Sequence, residues 1–250
     1  MGHAFEGSDE RVVDASVEDV WRAVATGPGF DSWFLGRASI EPRVGGSVTV
    51  DMGGDNMDAV VTACEPLRRF AIRGDEDEHG RFVAYEFLIE GRGQASTVLR
   101  MTTSGFLPGD DWEDEFDAMT KGTRMFFATL VAYLTHFPGQ FAVPVTASGP
   151  PTGDWPATWA DLALTLGLTG VPDVGDAALF SDPVLGRIDA VVDLRTDHAL
   201  GLRSENALLR FVQGYHSGGI VTAHHLFRAD IDAGTVTAQW SDWLSRLPVR

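Results

Sequence analysis

A helix-period segment from Asp111 to Phe137 follows directly on a long strand-like stretch, and that succession narrows what the chain can fold into. Phe116, Met119, Thr123, Phe126, Phe127, Leu130, Leu134 and Phe137 recur mostly at steps of three and four, which sets them on one largely apolar stripe. At ~1.5–3 kcal/mol per large side chain, burying it is worth on the order of 10–20 kcal/mol gross. Fixing the chain offsets most of that sum. A stripe of this kind must lie on something, and the only large partner upstream is a sheet. Whether helix and sheet close fully or leave a gap is the question on which function turns.

Composition bounds the rest. At 250 residues, 44% hydrophobic and 22% charged, the chain reads as a soluble globular protein of one or two domains. No apolar run approaches the ~20 residues of a membrane span, and Met1 to Glu10 show neither the basic start nor the apolar stretch of a signal peptide. The single cysteine, Cys64, excludes an intramolecular disulfide and fits a reducing cytoplasm, the expected location. A formal net charge of −17 argues against nucleic acid and anionic membranes as partners, because phosphates want Lys and Arg.

Along the chain, Arg11 to Ala15 reads as a short strand and Ser16 as the N-cap of a helix, with Asp19 in the place of the capping-box Glu. Gly27-Pro28-Gly29 ends that helix, and Phe30 to Leu35 reads as one further helical turn carrying Trp33 and Phe34. Strands are then expected over 37–44, 47–52, 58–65, 68–73, 81–90 and 96–104, separated by turn signals that include Gly45-Gly46 and Gly53-Gly54-Asp55-Asn56. After the long helix, Pro138 to Asp154 is rich in Pro, Gly, Ser and Thr and reads as a linker. Beyond it come a helix over 156–166, strands over 187–194, 198–203, 207–213 and 220–227, and a closing helix over 233–247.

Two segments carry a family resemblance. DASVEDVWRAVATGPGFDSWF, from Asp14 to Phe34, and TSGFLPGDDWEDEFDAMTKGTRMFFATLVAYLTHF, from Thr103 to Phe137, bracket the strands. Together they resemble the SRPBCC superfamily, also called START-like or Bet v 1-like, in the branch of homologues of the C-terminal domain of the heat-shock-protein-90 ATPase activator. The signals are Val20-Trp21, Trp33-Phe34 and Gly105-Phe106, and the resemblance covers Arg11 to Phe137. It implies a helix-grip arrangement, an antiparallel sheet wrapped around a long C-terminal helix with a cavity between them. Members of that family bind or transform hydrophobic small molecules, and some assist polyketide cyclisation. Where relatives carry Gly-Trp on the last helix, Gly122 and Thr123 stand here. Losing the indole enlarges the cavity unless a neighbour such as Phe126 fills the space.

Other motifs yield to plainer readings. Asp75 to Gly80, with Glu86, nearly matches a calcium loop, but His79 stands at an oxygen-ligand position and both flanks read as strands; an acidic hairpin tip is the favoured reading. Asp110 to Glu115 reads as a capping box and first-turn acids rather than a carboxylate pair. Gly214 to Gly219 carries Ser217 but lacks the first Gly of a nucleophile elbow, so it reads as a hairpin turn. His224 and His225 point to opposite faces of a strand and cannot readily share one metal. Gly91-Arg92-Gly93 is a turn and not a dinucleotide fingerprint.

The fold expected is α+β: a helix-grip domain over 1–140, a linker over 141–154, and a smaller α+β module over 155–250 that partially repeats the first. The residues expected to line a cavity are Trp33, Phe34, Tyr85, Phe87, Leu99, Met101, Thr103, Trp112, Phe116, Met119, Thr123 and Phe127, with Tyr85, Thr103 and Thr123 as the polar contacts that orient a ligand. Taken singly, each is more often plain core than ligand contact. No catalytic residue, metal or cofactor is assigned. The function expected is binding of a small hydrophobic molecule between sheet and long helix. The alternatives are a cyclase- or hydrolase-like enzyme using Tyr85 or a buried carboxylate, and a chaperone-associated ATPase activator. Trp240 and Trp243 are expected either to dock the C-terminal region on the first domain or to form a homodimer contact.

Overall fold

A computed structural model describes residues 2–52, 56–93, 95–109, 112–182, 186–214, 218–228 and 230–247, the side chain of Asp114 excepted. It divides into two compact units, Met1–Phe141 and Ala142–Arg250. Among the described residues no helix is long and apolar enough to cross a membrane.

The first unit opens with strand β1 (His3–Val13), helices α1 (Val17–Ala25) and α2 (Gly27–Phe30), and strand β2 (Arg37–Ile40). Strands β3 (Ser47–Asp51), β4 (Asn56–Glu65), β5 (Arg69–Gly74), β6 (Phe82–Gly91) and β7 (Thr97–Leu107) follow, and helix α3 (Trp112–His136) closes it. The strands form one sheet in the order β1-β7-β6-β5-β4-β3-β2, antiparallel throughout. The chain therefore meanders from β2 to β7 and brings the last strand beside the first.

Helix α1 starts where the sequence places it. The Ser16 hydroxyl accepts from the Asp19 amide at 3.1 Å and donates to the Asp19 carboxylate at 2.7 Å, so Asp19 serves in the role of the capping-box Glu. Val20, Ala23 and Val24 bury one face of the helix. The next turn is held by Trp33, whose indole N–H donates to the Ala23 carbonyl at 2.9 Å. Strands β3 to β6 lie within two residues of expectation, β2 stops four residues early at Ile40, β7 runs three further to Leu107, and β1 departs most. It runs eleven residues from His3, not from Arg11, and pairs in unbroken register with β7 from His3↔Leu107 to Val13↔Thr97. An edge strand shows water on one face and here carries Gly7, Asp9 and Arg11 on the other, so it lacks the apolar alternation that marks a buried strand.

Cross-strand partners fix the inner face. One row runs Gly7, Thr103, Tyr85, Ile72 and Val61; the next runs Asp9, Met101, Phe87 and Phe70. Helix α3 rests on this face against β1 and β7. Its stripe is sealed at the C-terminal end, where Phe127, Leu130, Leu134 and Phe137 are buried. Phe116, Met119 and Thr123, nearer its start, are only half-buried. The gap between helix and sheet is thus confined to one end.

The second unit comprises β8 (Val143–Ser148), α4 (Trp155–Thr165), β9 (Ala177–Asp182), β10 (Gly186–Arg195), β11 (Ala199–Arg203), β12 (Ala207–Gln213), β13 (Ile220–Leu226) and α5 (Ala233–Ser245). Its sheet order is β8-β13-β12-β11-β10-β9. This is the plan of the first unit with one strand fewer: a first strand paired to the last, a helix before the meander, a helix at the end. Two strands lie outside the sequence expectations. β8 falls inside the stretch read as linker, where Pro144 and its polar neighbours mask a strand that pairs with β13 from Val143↔Leu226 to Ser148↔Val221. β9 is an edge strand with Leu179 turned outward. Trp240 is not available for docking or dimer contacts: it is fully buried in its own unit, 4.3 Å from the His224 ring and 5.8 Å from Phe211.

Candidate functional site

Aromatic contacts tie the start of α3 to the start of β1. The His3 and Trp112 rings stack at 3.9 Å, and Phe5 meets Phe116 edge-on at 5.6 Å. Phe5 has room because Gly105 stands opposite it in β7; a Cβ there would fall 2.7 Å from the Phe5 ring and 2.3 Å from the Phe82 carbonyl oxygen. Two residues further along β1, Gly7 presents no side chain on the same face, and a Cβ added at Gly7 would meet nothing within 4 Å. The result is a cleft of about 180 Å³ between β1, β7 and α3. Phe5, Phe116 and Met119 give it apolar walls, and Thr103, Thr120 and Thr123 give it hydroxyls. Asp9 and Arg124 contribute one charge of each sign. Ser8 also borders it, but its hydroxyl lies 3.4 Å from that of Thr102, a residue of the other face, so it borders the cleft with backbone.

Thr103 is the chemically distinctive member. It is 5% exposed, it sits between Gly7 and Tyr85 across the sheet, and its Oγ1 has no protein hydrogen-bond partner. Leaving a buried hydroxyl unmet costs about 1–3 kcal/mol.

Of the twelve residues singled out from the sequence, Thr103, Phe116, Met119 and Thr123 line this cleft. Six others lie in the core: Trp33, Phe34, Phe87, Leu99, Met101 and Phe127 are each 4% exposed or less. Phe34 anchors that cluster, with ring centroids 4.4 Å from Phe126, 5.4 Å from Trp33 and 6.1 Å from Tyr85. Phe126 thus packs on Phe34, while Thr123 lines the cleft. Trp112 stacks on His3. Phe5, Gly7, Asp9, Thr120 and Arg124 were absent from the sequence reading. The only signal for them was the alternation Phe5-x-Gly7-x-Asp9 in a segment not assigned to a strand.

Other features fall away from this site. A wider depression of about 360 Å³ on the opposite sheet face is lined by Glu10, Arg100, Arg69 and Glu65, whose charges are satisfied in the pairs Arg100–Glu10, Arg69–Glu65 and Arg69–Glu86. The acidic run after β5 is a hairpin tip: the Asp77 carboxylate accepts from the amides of His79 at 2.8 Å and Arg81 at 2.9 Å. Among the described residues no three metal-ligating side chains converge. Gly214 donates to the Gly219 carbonyl at 3.0 Å; Tyr215, His216 and Ser217 lie outside the described residues, as do Asp110 and Asp111 before α3. Asp31 and His224 are buried titratable groups away from the cleft. Burial pushes the Asp31 carboxyl up to about 6, against the opposing pull of the Ala38 amide, which it accepts at 2.6 Å, and of Arg37. Burial, with smaller contributions from the charges of His225 and Arg210, drives His224 well below the usual histidine value; its Nδ1 accepts from the Arg210 amide at 3.0 Å.

A seven-stranded antiparallel sheet holding a long C-terminal helix, with two short helices between its first strands, defines a helix-grip protein of the α+β class. Residues 14–135 match the family described as Activator of Hsp90 ATPase homolog 1-like protein, which supports assigning this part of the chain to the SRPBCC superfamily. Among solved structures, the Aha1 dimer from Colwellia psychrerythraea is similar over 52% of this chain and 96% of its own, at 19% identity and a TM-score of 0.44. DynU16, a putative protein in the dynemicin biosynthetic locus, is similar over 97% of this chain and 96% of its own, at 22% identity and a TM-score of 0.45. The di-domain ARO/CYC protein BexL is similar over 94% of this chain and 88% of its own, at 15% identity and a TM-score of 0.45. No curated protein matches the sequence.

Proposed function

We propose that the first unit binds a small hydrophobic molecule in the cleft between β1, β7 and α3. The observation that carries this reading is the Thr103 hydroxyl, buried and without a protein partner at the floor of a cleft walled by Phe5, Phe116 and Met119. A pocket of apolar walls with a few placed polar groups is how proteins bind and orient such molecules. Contact falls to Phe5, Thr103, Phe116, Met119 and Thr123, while the cluster of Trp33, Phe34, Phe87, Met101 and Phe127 forms the rigid wall behind. A cytoplasmic setting, read from the single Cys64, accompanies this proposal.

The reading predicts that purified protein captures a lipophilic compound, detected by native mass spectrometry and by a raised melting temperature against a lipophile panel. Thr123→Trp puts an indole into the cleft. It is expected to abolish that stabilisation while the far-ultraviolet circular dichroism stays unchanged. A panel without a single stabilising compound, or a Trp variant stabilised as fully as the parent, contradicts the proposal.

A further inference from the structure

Resting on that reading, we infer that the ligand is a neutral aromatic molecule of one or two rings with a single hydroxyl or carbonyl group placed on Thr103, and that Gly7 sets how many rings fit. Size comes first. At about 180 Å³ the cleft is small. That lies below the ~300 Å³ lower end for sites of drug-sized ligands, so a long acyl chain or a multi-ring molecule exceeds it. The walls point to a flat guest, because the edge-on pair of Phe5 and Phe116 and the Met119 thioether offer the partners that aromatic rings prefer. Charge points to a neutral one. Asp9 and Arg124 sum to zero, and a buried ionised group would find only a hydroxyl at the Thr103 floor. Of the cleft's three threonine hydroxyls, that of Thr103 is the one buried without a partner, so one polar group on the guest answers it.

Gly7 is the gauge. It is the cross-strand partner of Thr103, and a Cβ placed on it meets open space. Its backbone is regular strand without a positive φ, so a β-branched residue is conformationally welcome there. A side chain at this position occupies the cleft directly above the floor and leaves the frame in place.

Four probes read the inference by isothermal titration: p-cresol, p-xylene, 2-naphthol and decanoate. The parent protein is expected to bind p-cresol about tenfold more tightly than p-xylene, the loss expected for a guest that leaves the hydroxyl unpaired. Thr103→Val should bring that ratio to within about twofold. Gly7→Val should weaken 2-naphthol by about tenfold or more and p-cresol by less than about threefold, since only the larger ring system needs the space. Decanoate binding as tightly as 2-naphthol and blocked by Thr123→Trp would overturn the ligand class and leave the cleft reading standing. Loss of both phenols to the same extent in Gly7→Val would overturn the gauge. Binding that Thr123→Trp leaves untouched would sink the cleft reading itself, and this inference with it.

Discussion

Two glycines one turn of the pleat apart in effect show how the absence of a side chain can mean opposite things. Gly105 is filled space, because a Cβ there would fall 2.3 Å from the Phe82 carbonyl oxygen and 2.7 Å from the Phe5 ring. Gly7 is empty space, with nothing within 4 Å. Gly105→Ala is therefore expected to destabilise the first unit by about 1–3 kcal/mol through overpacking. Gly7→Ala, in an exposed edge strand, should leave stability unchanged or slightly raised. Urea unfolding of the two variants checks the pair; equal effects would mean that the Phe5 ring is not seated over Gly105. Thr103 joins them as the third residue of the floor. Its value to the account lies in burial without a partner, which a sequence cannot display, since hydroxyls on strands usually find one.

Elements differ in how plainly they announce themselves. Helix α3 and strands β3 to β7 were evident from their repeats because one face of each is core and the other is wet, so period and burial coincide. β1 and β8 were obscured because both are edges. β1 carries a glycine and two charges on its inner face, and β8 carries Pro144 within a turn-like composition. Four of the ten residues lining the cleft come from β1, and this is why Thr103, Phe116, Met119 and Thr123 could be picked out and Phe5, Gly7 and Asp9 could not. Missing β8 also concealed that the second unit repeats the whole plan of the first less one strand, not only its tail. The seam between helix and sheet is where the two units part in chemistry. In the second, Trp240 fills it against Phe211 and His224. Trp240→Ala should cost about 3–5 kcal/mol there, measured by denaturant unfolding, as expected for an excavated core.

For the molecule as a whole, Asp31 and His224 predict opposite responses to pH in the two units. The folded state raises Asp31 to about 6, above the ~3.9 of an unfolded aspartate. Folded protein then holds a proton that the unfolded chain has lost, so this contribution to stability is full below that window and is lost as pH rises through it. His224 runs the other way. Its folded value is lowered below the unfolded ~6.5, so the second unit loses stability as pH falls from about 6.5. Each slope is bounded by about 1.4 kcal/mol per pH unit for one proton. Hydrogen exchange resolved by unit between pH 4 and 7 should show the two trends, with Asp31→Asn flattening the first and His224→Gln the second; slopes that survive both substitutions would assign them to other groups.

The central claim concerns the open end of the grip, where Thr103 lies buried at the floor of a cleft beside α3 with its hydroxyl unmet. Amide chemical shifts recorded during titration with 2-naphthol test it directly. The account predicts that the largest changes fall on Gly7, Thr103, Met119 and Thr123, with Trp33, Phe87 and Leu134 nearly still. Changes centred on that inner cluster, or on the second unit, would contradict it.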